Sequence, residues 1–210
     1  MYFLDRKEAG KKLAKVLKES YKGEKAVIFG LPRGGVVVAA EVAKVLKSKL
    51  YVVITRKIGH PVDEEYAVAA ISEHGHLIHN TQEIHRLGKV WLAKAICQQE
   101  KEIQARKKLY KIKKLPSLKG RIAILVDDGI ATGLTMKAAI ADIKDLTPEH
   151  IVVAVPIVVA SVANELREEV DTLITLQEPQ HLLGGIGSYY ENFPQISHEE
   201  VVQILLAEKK

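Results

Sequence analysis

The chain has 210 residues, 47% of them hydrophobic, and its 31 Lys and Arg against 26 Asp and Glu give a formal net charge of +5. That length buries one sizeable core, so a single domain over 1–210 is expected. No apolar stretch approaches a membrane span, residues 1–6 meet charge too early for a secretion signal, and one cysteine, Cys97, cannot form an internal disulfide; a cytoplasmic location is expected.

Asp5 followed by Glu8 resembles a capping box, opening a helix whose Ala9, Leu13, Val16 and Leu17 share a face and which ends near Gly23. Residues 26–30 read as a buried strand, 36–46 as a helix and 50–55 as a second buried strand, together a right-handed βαβ unit. Residues 66–72 and 76–79, separated by Gly75, suit a hairpin flap.

The segment 81–114 is charged and free of proline, and it carries Ile84, Leu87, Trp91, Ile96, Ile103 and Leu109 at helical steps. One long helix or two broken near Gly88 are expected, as an insertion beside the site mouth and outside the central sheet. Its apolar face needs a partner, on a hood of the same chain or on a second subunit, which opens the possibility of a homodimer. Cys97 falls in this helical pattern and is read as packing. The core resumes with a strand at 122–126, a helix at 135–146, a strand at 151–155, a helix at 161–169 and a strand at 172–176. This alternation predicts an α/β fold: an open, mostly parallel sheet flanked by helices, with a small hood or flap and a long helical insertion.

The most informative run is 122–135, an apolar strand that ends in Asp127 and Asp128 and turns through small, hydroxylated residues into a helix. Ala131, Thr132, Gly133, Leu134 and Thr135 would offer backbone N–H groups, two hydroxyls and a helix N-terminus to one anion, a cradle that suits a phosphate monoester. The carboxylates just upstream would repel a second phosphate and accept from sugar hydroxyls, which favours a ribose beside the phosphate. Leu31, Pro32, Arg33 and Gly34 follow the first strand at the same sheet edge, where backbone amides and the Arg33 fork suit a pyrophosphate. Arg56 and Lys57 end the next predicted strand and would neutralise that group as it leaves. His74, His76, His79 and His85 invite a metal reading, but their spacing lacks a tetrahedral ligand pattern, so it does not predict a zinc site. Tyr189, Tyr190 and Phe193 lie in a C-terminal tail, about 177–210, that reads as part of a hood or as core packing.

Residues 125–135 resemble the phosphoribosyl pyrophosphate (PRPP) motif of type I phosphoribosyltransferases, with Ala131 as in the adenine-type enzymes. The stretches at 3–6, 30–35, 56–59 and 190–195 are similar to a bacterial group of stand-alone phosphoribosyltransferase-like proteins. Gly129 departs from the family, which usually has an apolar residue there.

The resemblance implies a magnesium-dependent transfer of 5-phosphoribosyl from PRPP to a small nitrogenous acceptor, with Ala131 hinting at a purine. Asp127, Asp128, Arg33 and Lys57 would be catalytic, and residues 131–135 would hold the 5′-phosphate. Leu31, Pro32, Arg33, Gly34, Arg56 and Lys57 would hold pyrophosphate, and Asp127 and Asp128 would reach the magnesium directly or through water. A different class stays open: a PRPP-sensing regulator of the same fold that binds RNA or DNA through the basic stretch 101–121.

Overall fold

Each central strand alternates its side chains between two helical layers, as a strand buried on both faces must. In the computed structural model, residues 2–112 and 115–208 are described; the parts of the expectations above that fall on Met1, Lys113, Lys114, Lys209 and Lys210 lie outside them. In β1 (Ala26–Gly30), Val27 and Phe29 enter one core while Ala26 and Ile28 enter the other. In β6 (Ile122–Val126), Ala123 and Leu125 join the first, and Ile124 and Val126 the second. With β2 (Lys49–Val52), β7 (His150–Ile157) and β8 (Thr172–Gln177), these strands form a parallel sheet of order β2-β1-β6-β7-β8. Helices α1 (Arg6–Tyr21) and α2 (Gly34–Leu46) cover one face, and α5 (Leu134–Lys144) and α6 (Ala160–Glu169) the other. The predicted doubly covered α/β sheet is the one observed.

Residues 50–55 do not form one strand. The chain leaves the parallel sheet after Val52, and β3 (Thr55–Gly59) opens a separate antiparallel sheet with β4 (Ala67–Ser72) and β5 (Leu77–His79). Val53 and Ile54 are fully buried, so the apolar run continues through the change of sheet and marks no boundary. Ser72, His74 and His76 at the β4–β5 turn anchor this small sheet on α5. The Ser72 hydroxyl donates to Asp142, His74 Nδ1 lies 3.1 Å from Asp142 Oδ2, and His76 Nε2 lies 2.8 Å from Asp145 Oδ2.

The insertion is two helices, α3 (Thr81–Leu87) and α4 (Lys89–Leu109), broken at Gly88 with φ +87°. Its apolar residues at the predicted helical steps, other than Leu109, which is 45% exposed, find their partner within the chain. Ile84, Leu87, Trp91 and Ile96 pack on Ile58, Val68 and Ala69 of the small sheet, and Ile103 packs with Val36 and Ile54. The small antiparallel sheet is the expected hood of the same chain, and Ile96 and Ile103 also cluster with Ile196 and Val201 of the C-terminal tail. Cys97, expected to pack, is exposed instead. A last helix, α7 (His198–Ala207), starts at Ser197 with a complete capping box.

Candidate active site at the carboxyl ends of β1 and β6

The last residues of β1 and β6, Gly30 and Val126, are paired in register, so the loops that follow emerge side by side. Leu31 N–H donates to Val126 O at 3.0 Å, and the peptide bond between Pro32 and Arg33 is cis. The glycines at the start of α2 let this loop lie on the two carboxylates. A Cβ at Gly34 would stand 1.8 Å from Asp128 Oδ2, and one at Gly35 would stand 2.6 Å from Asp127 Oδ1. The two runs singled out in the sequence are therefore one surface.

Asp128 is held at its carboxylate and at its carbonyl. Arg6 Nε donates to its Oδ2 at 2.6 Å, with the two side chains only 8% and 16% exposed. The same guanidinium donates through Nη1 to Pro194 O at 2.8 Å and lies 3.6 Å over the Phe193 ring. Tyr190 donates its hydroxyl to Asp128 O at 2.6 Å, and its ring packs between Phe3 and Phe193. The aromatic tail thus packs and positions Asp128.

Asp127 Oδ1 accepts from the Asp128 N–H at 2.8 Å. Burial, and then the neighbouring Asp128 charge, push the Asp127 carboxyl well above the usual range. Arg6 is a site residue that the sequence reading did not assign. Its signal was a cation in the first turn of a helix, where the helix dipole disfavours one.

The phosphate-type loop is pinned at its base, where Ile130 N–H donates to Ile157 O at 2.9 Å and Val159 N–H to Ile130 O at 3.2 Å. Ala131 and Thr132 are exposed, and Gly133 turns the chain at φ +75° into α5. Its N-cap, Gly133, has no side chain with which to cap that helix, so its first N–H groups and Thr135 stand at a positive end without a side-chain cap among the described residues. Gly129 has a local explanation: a Cβ there would stand 2.4 Å from Ile186 Cγ2, so the tail supplies the apolar group itself.

On the other side of Arg33 the chain gathers cations. Arg56 Nε donates to Gln99 Oε1 of α4 at 2.9 Å. Arg106, one helical stretch further along α4, has a buried Nε with no hydrogen-bond partner among the described residues. Burial, then the charge of Arg56, and also that of Arg33, hold the Arg106 guanidinium below its ordinary value. None of these three arginines has a carboxylate within 4.0 Å among the described residues, whereas Arg6, Arg86 and Arg167 each do.

Burial and the same arginines lower His198, whose Nδ1 lies 2.6 Å from the Tyr110 hydroxyl. Burial raises the Tyr110 phenol. Lys57 does not join this group. It neighbours Arg56 on β3, points to the opposite face, and pairs with Glu65 Oε2 at 2.7 Å. Arg106, Tyr110 and His198 were not found from the sequence, because each sits in a helix or tail whose pattern reads as solvated charge.

Residues 4–187 match the phosphoribosyl transferase domain family. A Mycobacterium tuberculosis protein, provisionally named a phosphoribosyl transferase, is 37% identical over 207 residues, 97% of this chain. The alignment covers 46% of that protein, so the chain spans about half the length of the curated relative. Among solved structures, the TT1426 protein of Thermus thermophilus superposes with a TM-score of 0.79 at 36% identity, covering 99% of each chain. The AQ2163 protein of Aquifex aeolicus shares the fold, with a TM-score of 0.50 at 14% identity over 83% of this chain and 76% of its own. With a match over residues 4–187, most of its length, the chain belongs to the phosphoribosyl transferase domain family.

Proposed function

We propose that the protein transfers the 5-phosphoribosyl group of PRPP to a nitrogenous acceptor and releases pyrophosphate. The observation that carries this reading is the order of groups along the sheet edge. The start of α5 comes first, then Asp127 and Asp128, then Arg33, and beyond β2 the guanidiniums of Arg56 and Arg106. A phosphate, a sugar diol and a pyrophosphate in that sequence match it group for group.

In the reaction, the bond between C1 and the pyrophosphate oxygen breaks, a C1–N bond forms, and the acceptor gives up its N–H proton to solvent or base. Positive charge develops on the ribose while negative charge grows on the leaving group, so positioning and electrostatics supply the acceleration. Asp127 and Asp128 accept from the ribose hydroxyls and face the cationic ring. Arg33, Arg56 and Arg106 take the departing charge, and residues 131–135 hold the 5′-phosphate. The oxygen-only donor set of Asp127 and Asp128 fits magnesium, with Asp127 the freer of the two because Arg6 occupies Asp128 Oδ2. Magnesium, when bound, neutralises the pyrophosphate.

The nucleic-acid reading loses part of its basis here, since Lys107 is engaged with Glu73 at 2.7 Å and Arg106 belongs to the cation group above. The test is pyrophosphate release from PRPP with a panel of purine and pyrimidine bases, with magnesium and then with excess chelator. Release that needs both a base and the metal supports the proposal; no release with any base, together with no PRPP binding, overturns it.

A further inference from the structure

The β4–β5 turn places two buried carboxylates beside an imidazole, away from the β1 and β6 loops. Glu73, His74 and Asp142 each offer a donor atom, and these atoms all lie within 4.8 Å of one another. The Glu73 side chain is 3% exposed and that of Asp142 is 0%. Glu73 Oε2 takes Lys107 Nζ at 2.7 Å, while Oε1 is buried with no hydrogen-bond partner among the described residues. An unpaired buried carboxylate oxygen next to a second buried carboxylate is costly unless a cation joins them.

We infer that Glu73, His74 and Asp142 form a binding site for a divalent transition-metal ion, with zinc the best fit. One nitrogen and two carboxylate oxygens suit zinc, whereas an imidazole disfavours magnesium, which prefers oxygen alone. Bonds of about 2.0–2.2 Å put tetrahedral ligands roughly 3.3–3.6 Å apart. His74 Nδ1 and Asp142 Oδ2 are already 3.1 Å apart, and a modest closure brings Glu73 to them, since no pair of the three donor atoms exceeds 4.8 Å. The Ser72 hydroxyl donates to Asp142 Oδ1 and orients the carboxylate from behind, as outer partners of metal ligands do.

His76 is engaged by Asp145 at 2.8 Å, which leaves three protein ligands and a position for water. An open cavity of about 790 Å³, lined by Ser72, Glu73 and His74 and by Glu100, Gln104 and Lys108 of α4, gives the ion a path in. Asp142 lies eight residues into α5, about 12 Å along the helix from the phosphate-type loop at 1.5 Å per residue. The ion would clamp the small sheet to that helix without touching the loop. This inference does not depend on the proposed reaction.

The test uses the whole protein stripped with chelator, titrated with zinc chloride by calorimetry and with cobalt(II) by absorption. The expected result is one equivalent bound, a tetrahedral cobalt spectrum without a thiolate charge-transfer band, and a zinc-dependent rise in melting temperature. His74→Ala, at a half-exposed turn position that the fold tolerates, should weaken binding at least about tenfold and abolish the rise. Glu73→Gln should do the same, and Cys97→Ser should leave binding unchanged. No stoichiometric uptake, full uptake by His74→Ala, or a thiolate band lost in Cys97→Ser would each overturn the site.

Discussion

Replacing Arg106 by Gln should make the protein more stable and a poorer ligand for pyrophosphate. The guanidinium has a buried Nε without a partner among the described residues, and Arg56 and Arg33 are its repelling neighbours. An unsatisfied buried donor costs about 1–3 kcal/mol. Gln removes that donor and the repulsion but gives up part of the packed stem, so a net gain of about 1 kcal/mol is expected. For a chain of this length, that raises the melting temperature by about 2–4 °C. A charge-assisted hydrogen bond to the ligand is worth about 1.5–3 kcal/mol, so pyrophosphate affinity should fall about 10- to 150-fold. Thermal melts and calorimetric titration with inorganic pyrophosphate read the two effects separately, and ribose 5-phosphate serves as the control that should be unaffected. A variant that melts lower and binds pyrophosphate as the parent does would refute the argument, because Arg106 would then be a packing residue.

Three further outcomes follow from the carboxylate side. Burial and Asp128 raise the Asp127 carboxyl, so the folded state holds its proton more tightly than the unfolded chain, and stability falls as pH rises from the ordinary carboxylate value through the raised one. Asp127→Asn should therefore melt above the parent at neutral pH, with the gap closing in acid, while PRPP affinity drops about tenfold or more; melts that run parallel across pH would contradict this. Gly34→Ala drives a methyl into Asp128 and Arg6, and breaking that buried pair should cost about 3–5 kcal/mol, visible as a large loss in urea unfolding midpoint. Tyr190→Phe removes the bond to Asp128 O and should cost about 1 kcal/mol, with a rise in the KM for PRPP if the phenol positions that aspartate.

The parallel sheet and both candidate ligand loops were legible because their signals are local: alternating apolar strands, then glycines, hydroxyls and carboxylates at the strand ends. The break at Gly88 was one of the two readings the sequence left open, since glycine is a local signal too. The change of sheet after Val52 was not, since Val53 and Ile54 extend an unbroken apolar run with no glycine or proline to mark the exit.

Arg6, Arg106 and the Glu73–His74–Asp142 group were missed for a different reason. Their neighbours are distant in the chain: Arg6 meets Asp128, Arg106 faces the charges of Arg56 and Arg33, and His74 meets Asp142 across 68 positions. Each residue read alone looks like an ordinary helix charge or turn histidine. Gly129, an oddity in the sequence, makes sense only once Ile186 is seen filling the space above it.

The central claim is that one continuous surface recognises a phosphate, a ribose and a pyrophosphate together. Calorimetric titration with PRPP, ribose 5-phosphate and pyrophosphate in the presence of magnesium tests it directly. The account predicts that PRPP binds more tightly than either half, that Arg33→Ala weakens PRPP and pyrophosphate but spares ribose 5-phosphate, and that Asp128→Asn weakens PRPP and ribose 5-phosphate but spares pyrophosphate. Equal losses for all three ligands in both variants, or PRPP binding no tighter than pyrophosphate alone, would contradict it.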